Sequence, residues 1–205
     1  MESKLVRGFQ AKTYDFAKFL NFGWIIHYKL AALIPTTPRL KVLDVGCGTG
    51  SLLAILEKRH PGLILAGLEP SSDMIRLTKQ KLSNDRVTLV TNSADKMDFD
   101  SNSFDVVTCS LLFHHLPENI RATVVAEIYR VLKPGGLFFL VDIGETNTWF
   151  KKIIAVTQIH HHYSKENMHG GLNSLLDASE FKGHDLIQTL YLPLGPVDFL
   201  KTQKI

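Results

Sequence analysis

The run Val42-Leu43-Asp44-Val45-Gly46-Cys47-Gly48-Thr49-Gly50 places three glycines at alternate positions, directly after an apolar, β-branched stretch and before a helical pattern. Glycine at such a junction permits positive φ and lets a ligand approach where any Cβ would collide. A second apolar run ends in Gly67-Leu68-Glu69, so an acid stands 19 residues after Gly50. That is about the separation at which a carboxylate meets ribose hydroxyls in nucleotide-binding α/β units. Ser51 occupies the place where a dinucleotide fingerprint has its third glycine. Together these residues specify an adenosine-type ligand over the carboxyl ends of adjacent strands. Asp44 is an acid within an apolar strand and needs a partner: loop amides or a ligand cation. His114 and His115 follow a later strand at the same edge and are candidate proton acceptors.

The elements that position these residues follow from periodicity. Aromatic and aliphatic residues recur at helical spacing from Thr13 to Ile34, with Gly23 dividing two helices and Pro35 and Pro38 ending the segment. Strands are predicted at Lys41–Val45, Leu63–Leu68, Val87–Thr91, Phe104–Ser110 and Leu137–Ile143, alternating with helices at Ser51–His60, Ser71–Leu82 and Glu118–Leu132. Lys133-Pro134-Gly135-Gly136 is expected to stop the last of these helices. Such alternation implies right-handed βαβ units and a parallel sheet covered on both faces. Beyond Ile143, helices are expected at Trp149–Ile159 and Asn173–Glu180. Strands are expected at Asp185–Tyr191 and Val197–Lys201. Strands that close in sequence can pair only antiparallel. The fold class is therefore α/β, a doubly wound, mostly parallel sheet with an antiparallel C-terminal hairpin, in one compact unit comprising an N-terminal helical cap (1–38) and a main domain (39–205).

Composition bounds the function. The 205 residues are 45% hydrophobic and 21% charged, with 23 basic against 20 acidic side chains, a mild +3 without a clustered basic face. A dedicated nucleic-acid binder is unsupported. Cys47 and Cys109 have no metal-type spacing, so no disulfide framework or cysteine-rich zinc site is expected, and a cytoplasmic compartment is. No secretory signal or membrane span is expected. His160, His161 and His162 are adjacent on a predicted helix end and point about 100° apart, so a metal is not expected there. The run reads as a solvated helix end, or as part of a substrate-facing lid with Tyr163, Asn167 and His169, hinged at Gly170-Gly171.

In four segments and in the same order, the sequence resembles class I S-adenosylmethionine-dependent methyltransferases of the small-molecule type, related to ubiquinone and menaquinone biosynthesis methylases. The segments are VLDVGCGTG (42–50), GLEPSSDM (67–74), NSADKMDFDSNSFD running into VVTCSLLFHHLPE (92–118) and RVLKPGGLFFLVD (130–142). The resemblance implies a seven-stranded, Rossmann-like methyltransferase fold and S-adenosylmethionine as cofactor. It implies that Asp44, Gly46 and Gly48 line the methionine half, with Cys47 counted in the cofactor loop and its side chain a small apolar filler. Glu69 would hold the ribose hydroxyls, and Pro70 and Met74 would pack on adenine. Ser93 stands where the family has Asp; with Ala94 and Asp95 it would meet the adenine edge. Ser110 and Leu111 would contact the methionine ammonium or line the methyl path.

Methyl transfer from a sulfonium is an in-line displacement, so alignment is the main demand and a base is required only when the acceptor must lose a proton. The expected function is methyl transfer to a small-molecule acceptor, with His115 or His114 as the base and the helical cap, including Tyr14 and Phe16, over the acceptor. The rival readings are a non-catalytic cofactor binder, a protein or RNA methylase, and a nicotinamide dehydrogenase. Cys109-Ser110-Leu111-Leu112 lacks the motif of DNA-amino methylases.

Overall fold

A computed structural model describes residues 23–83, 87–144, 171–192 and 195–205. The expectations for Tyr14, Phe16, the helix at Trp149–Ile159, His160–His162, Tyr163, Asn167, His169 and Gly170 lie outside them.

In chain order the described elements are α1 (Gly23–Leu33), β1 (Lys41–Val45), α2 (Ser51–Arg59), β2 (Ile64–Leu68), α3 (Ser72–Lys81), β3 (Thr88–Val90) and β4 (Phe104–Ser110). A 3-10 turn (Phe113–His115) follows, then α4 (Glu118–Val131), β5 (Leu132–Ile143), α5 (Gly171–Asp177), β6 (Asp185–Leu192) and β7 (Gly195–Gln203). Among the described residues seven strands form one sheet in the order β3-β2-β1-β4-β5-β7-β6. The first five pair in parallel, and β7 runs antiparallel to both β5 and β6. The expected mostly parallel sheet with a C-terminal hairpin is therefore observed.

The strands read as unbroken apolar runs because both faces are covered. On one face Val42, Val106, Phe139, Val141 and Phe199 pack with Ile26 and Leu30 of α1 and Leu52, Leu53 and Leu56 of α2. On the other, Leu43, Val45, Val107, Phe138 and Leu140 pack with Val124, Val125, Ile128 and Val131 of α4. Burying each such side chain contributes about 1.5–3 kcal/mol. This two-sided burial is what fixes the strand register.

The strand order reverses between β1 and β4: the chain leaves β1 toward β2 and β3, then returns on β1's other side. At such a switch point the connections diverge, opening a crevice beyond the carboxyl ends of the strands. Residues 46–50, 69–71, 91–95 and 111–115 all follow strand ends at this edge.

Most described elements lie within two residues of the sequence reading at each end; β5 and α5 depart further. β5 begins at Leu132, five residues earlier than Leu137, because Leu132 pairs with Phe104 before Val106 pairs with Leu137. Lys133–Gly136 thus bulges out within the strand, with Gly135 at φ +77°, and Gly135 and Gly136 bond through their backbones to Lys204. The turn chemistry read there is present, but long-range pairing on both sides makes it a bulge. α5 spans Gly171–Asp177 where Asn173–Glu180 was expected.

Arg130, in the last turn of α4, ties that helix to the loop before β4. It donates to both carboxylate oxygens of Glu127 and to the Phe99 and Met97 carbonyls. The Arg130 fork, with the Met97 amide and against the cost of burial, holds the Glu127 carboxyl below its ordinary value of 4.5. A carboxyl depressed in the fold adds stability above its unfolded pKa and loses it as pH falls through the folded value. Stability is therefore expected to fall on acidification below about pH 4.5, and Glu127→Gln to lose less over the same interval. Urea unfolding across pH 3–6 checks this (roughly the span of that titration); parallel pH slopes would contradict it.

Candidate active site

Three left-handed glycines shape the first loop: Gly46 at φ +70°, Gly48 at +54° and Gly50 at +72°. Other residues pay about 1–2 kcal/mol there. The Gly46 and Cys47 amides both donate to the Leu68 carbonyl, at 2.8 and 3.0 Å, lashing the loop to the end of β2. The Thr78 hydroxyl reaches from α3 to the Gly48 and Met74 carbonyls, at 2.8 and 3.1 Å. Lys81 Nζ bonds the Thr49 and Ser51 hydroxyls. The loop's conformation is set before any ligand arrives.

Glu69 bridges the two strand tips. Its Oε2 accepts from Gly48 N at 3.1 Å and its Oε1 from Ser71 N at 3.0 Å, while its own amide donates to Val90 O. An ionised carboxylate offers about four acceptor positions, so holding two amides is compatible with accepting a vicinal diol as well. Pro70 beside it is exposed, whereas Met74, in the first turn of α3, is buried. Cys47 is buried too, its Sγ 2.9 Å from where a Gly67 Cβ would stand, in keeping with a small filler. Beyond β3, the Ser93 hydroxyl donates to Asp95 Oδ1 and Ala94 is buried.

Asp44 is 2% exposed, and its Oδ1 accepts the hydroxyl of Thr108, its register partner on β4, at 2.9 Å. The acid in the apolar strand has the partner that burial demands. β4 ends at Ser110, and Leu111 follows it at φ +55° with its amide on Val141 O. A leucine in that region carries local strain of the kind that concentrates at functional sites. Leu112 packs against Gly46, where a Cβ would come within 2.9 Å of its side chain. Of the residues singled out in the sequence, the structure gathers Asp44, Gly46, Gly48, Glu69, Pro70, Ser93, Ser110 and Leu111 along one edge of the sheet.

The two histidines separate in character. His115 is exposed, with its ring centroid 3.8 Å from that of His114. His114 is half-buried, and its Nδ1 lies 2.6 Å from Oδ1 of Asp142, near the end of β5. Asp142 is 1% exposed and also accepts from the Ile143 and His114 amides. Burial pushes its carboxyl upward, but the adjoining His114 and the two amides outweigh this and hold it below its ordinary value. Between β1 and β5, the Cys109 thiol is pushed well up, by burial first and by Asp142 and Asp44 next. A small cavity of about 20 Å³, room for a water, adjoins the pair and is lined in part by Phe113, Arg121 and Leu172.

The sequence reading missed Asp142, Thr108 and Thr78. Asp142 had a legible signal: it ends the apolar run Leu137–Val141 as Asp44 interrupts its own strand. A roomier cleft of about 450 Å³ lies at the opposite, amino-terminal edge, between Lys41, Ile64, Thr88 and Phe104. In a doubly wound sheet that is not the ligand edge. Among the described residues no three His, Cys, Asp or Glu side chains converge as metal ligands would. No described helix is long and apolar enough to cross a membrane.

A doubly wound sheet with a glycine loop and an acid at its first two strand tips defines a nucleotide-type binding α/β domain. Residues 43–140 match the family described as "Methyltransferase domain", and over that stretch the chain is similar to class I S-adenosylmethionine-dependent methyltransferases. A demethylmenaquinone methyltransferase of Lactiplantibacillus plantarum is 41% identical over 144 residues, 66% of this chain and 60% of the relative. A malonyl-[acyl-carrier protein] O-methyltransferase of Priestia megaterium is 29% identical over 192 residues, 91% of this chain and 65% of the relative. The chain thus spans 60–65% of the length of these curated relatives. Among solved structures, a Thermotoga maritima S-adenosylmethionine-dependent methyltransferase, described as a possible histamine N-methyltransferase, superposes with a TM-score of 0.68. It shares 19% identity, with 95% of each chain covered. That likeness bears on the fold.

Proposed function

We propose that the chain transfers a methyl group from S-adenosylmethionine to a small-molecule acceptor. The observation that carries this reading is Glu69, whose carboxylate is held by Gly48 N and Ser71 N at the tips of β1 and β2. An acid so placed, above a loop with three left-handed glycines, fits an adenosyl ribose. Glu69 would bind the ribose hydroxyls, Pro70 and Met74 the adenine face, and Ser93, Ala94 and Asp95 its edge. Gly46, Cys47 and Gly48 would meet the methionine half through their backbone, with Asp44 fixed behind them by Thr108. Ser110 and Leu111 would border the methyl path. When bound, the cofactor supplies an electrophilic methyl on a sulfonium sulfur that leaves as a neutral thioether. The protein's part is to align nucleophile and methyl, which contributes on the order of 7–11 kcal/mol. His114, with His115 beside it, stands at the same edge as the group able to take a proton from the acceptor.

A small acceptor is supported by the relatives, named for demethylmenaquinone and for malonyl-[acyl-carrier protein]. Cys47 and Cys109 are both buried and not joined in a disulfide, which supports a reducing, cytoplasmic compartment. The test is incubation with methyl-labelled cofactor and a metabolite extract, followed by identification of the labelled product. A labelled small molecule made by the wild type is the expected result. A chain that binds cofactor and labels nothing would instead be a non-catalytic binder.

A further inference from the structure

We propose that Asp142 is a positioning residue that holds His114 as the proton acceptor, and that the methyl acceptor is therefore one whose attacking hydroxyl must lose its proton. The inference rests on the methyltransferase reading above. A carboxylate can only accept, so at 2.6 Å from Asp142 Oδ1 the Nδ1 of His114 carries the hydrogen. The neutral ring then keeps its lone pair on Nε2, the tautomer a general base needs. Asp142 cannot swing away, because Ile143 N and His114 N hold both of its oxygens.

A purely structural latch between the turn after β4 and the end of β5 would be served by neutral groups. Burying a carboxylate is costly unless its charge is used or paired. Asp142 is 1% exposed, and the group that pairs it is the His114 imidazole, its Nδ1 2.6 Å from Asp142 Oδ1. Among the described residues, the charged and titratable groups around the pair are His115 on the same turn, Arg121 of α4 at the adjoining cavity, Cys109 on β4 and Asp198, which faces Asp142 in register on β7. In the step, His114 Nε2 takes up the proton that the acceptor hydroxyl releases as its oxygen bonds the transferred methyl carbon. The pair of the broken carbon–sulfur bond stays on sulfur. The imidazolium so formed is stabilised against Asp142 until it passes its proton to water. An acceptor attacking through a lone pair that carries no acidic proton would have no use for this arrangement.

The decisive experiment has two parts. Imidazole 15N NMR of the 205-residue wild-type chain, followed across pH, reads the His114 tautomer directly. Protonated Nδ1 in the wild type and its loss in Asp142→Asn are expected; a wild-type ring protonated on Nε2 overturns the proposal whatever the variant does. The same two proteins are then titrated calorimetrically with S-adenosylhomocysteine and assayed with methyl-labelled cofactor and metabolite extract. Asp142→Asn should bind S-adenosylhomocysteine within about twofold of wild type and lose roughly 10²–10⁴ in kcat, with activity recovering as pH rises and the acceptor ionises unaided. Wild-type turnover in the variant, or a loss unchanged across pH, overturns the positioning role. A wild type that fails to bind S-adenosylhomocysteine or labels nothing overturns the underlying methyltransferase reading instead, and the inference with it.

Discussion

Replacing Glu69 by alanine is expected to raise the dissociation constant for S-adenosylhomocysteine by at least about 100-fold. Two hydroxyls bonded to a charged acceptor contribute about 1.5–3 kcal/mol each, or roughly 10²–10⁴ together. The substitution also removes the acceptor for the Gly48 and Ser71 amides, 3.1 and 3.0 Å away, so the loop and the α3 entry lose their common anchor. Glu69→Gln keeps one acceptor oxygen and should fall between the two. Calorimetric titration measures all three proteins. An alanine variant within fivefold of wild type would remove Glu69 from the site.

Gly50→Val is expected to destabilise the fold by about 2–5 kcal/mol, the sum of a left-handed backbone cost of about 1–2 and an overpacking cost of about 1–3. Gly50 sits at φ +72°, and its Cβ would run into Thr78, the residue whose hydroxyl holds the Gly48 carbonyl. Gly183 supplies the control: it has φ +82° with nothing within 4 Å of its added Cβ, so Gly183→Ala should lose only the backbone part. Urea unfolding of both variants separates the steric contribution from the conformational one. Equal losses would mean that the Gly50–Thr78 contact is not tight in solution.

What could be read in the sequence was what local physics decides. β1 and β4 have the predicted bounds, Lys41–Val45 and Phe104–Ser110, because their apolar runs are buried on both sides and flanked by loop residues that cannot continue a strand. The glycine loop was legible for the same reason: backbone freedom is a property of the residue itself. Glu69 was visible through its spacing from that loop. The side-chain partners were not. Thr108 is 64 residues from Asp44, Thr78 is 30 from Gly48 and Asp142 is 28 from His114, and only the packing of strands, helix and loops brings each pair together. β5 shows the same limit, since whether Lys133–Gly136 ends an element or bulges within one depends on pairing with Phe104 and Lys204 far away in the chain. α5 lies two to three residues from its expected place because its short span has weak periodicity and takes its bounds from packing, with Leu176 buried in the core under α4.

The proposed activity depends on one pocket, and a crystal soaked with S-adenosylhomocysteine tests that pocket most directly. The ligand is predicted to lie across Gly46–Gly50 with its ribose hydroxyls on the Glu69 carboxylate and its adenine between Pro70 and the Ser93–Asp95 segment. Density for the ligand elsewhere, or none at saturating concentration, would contradict it.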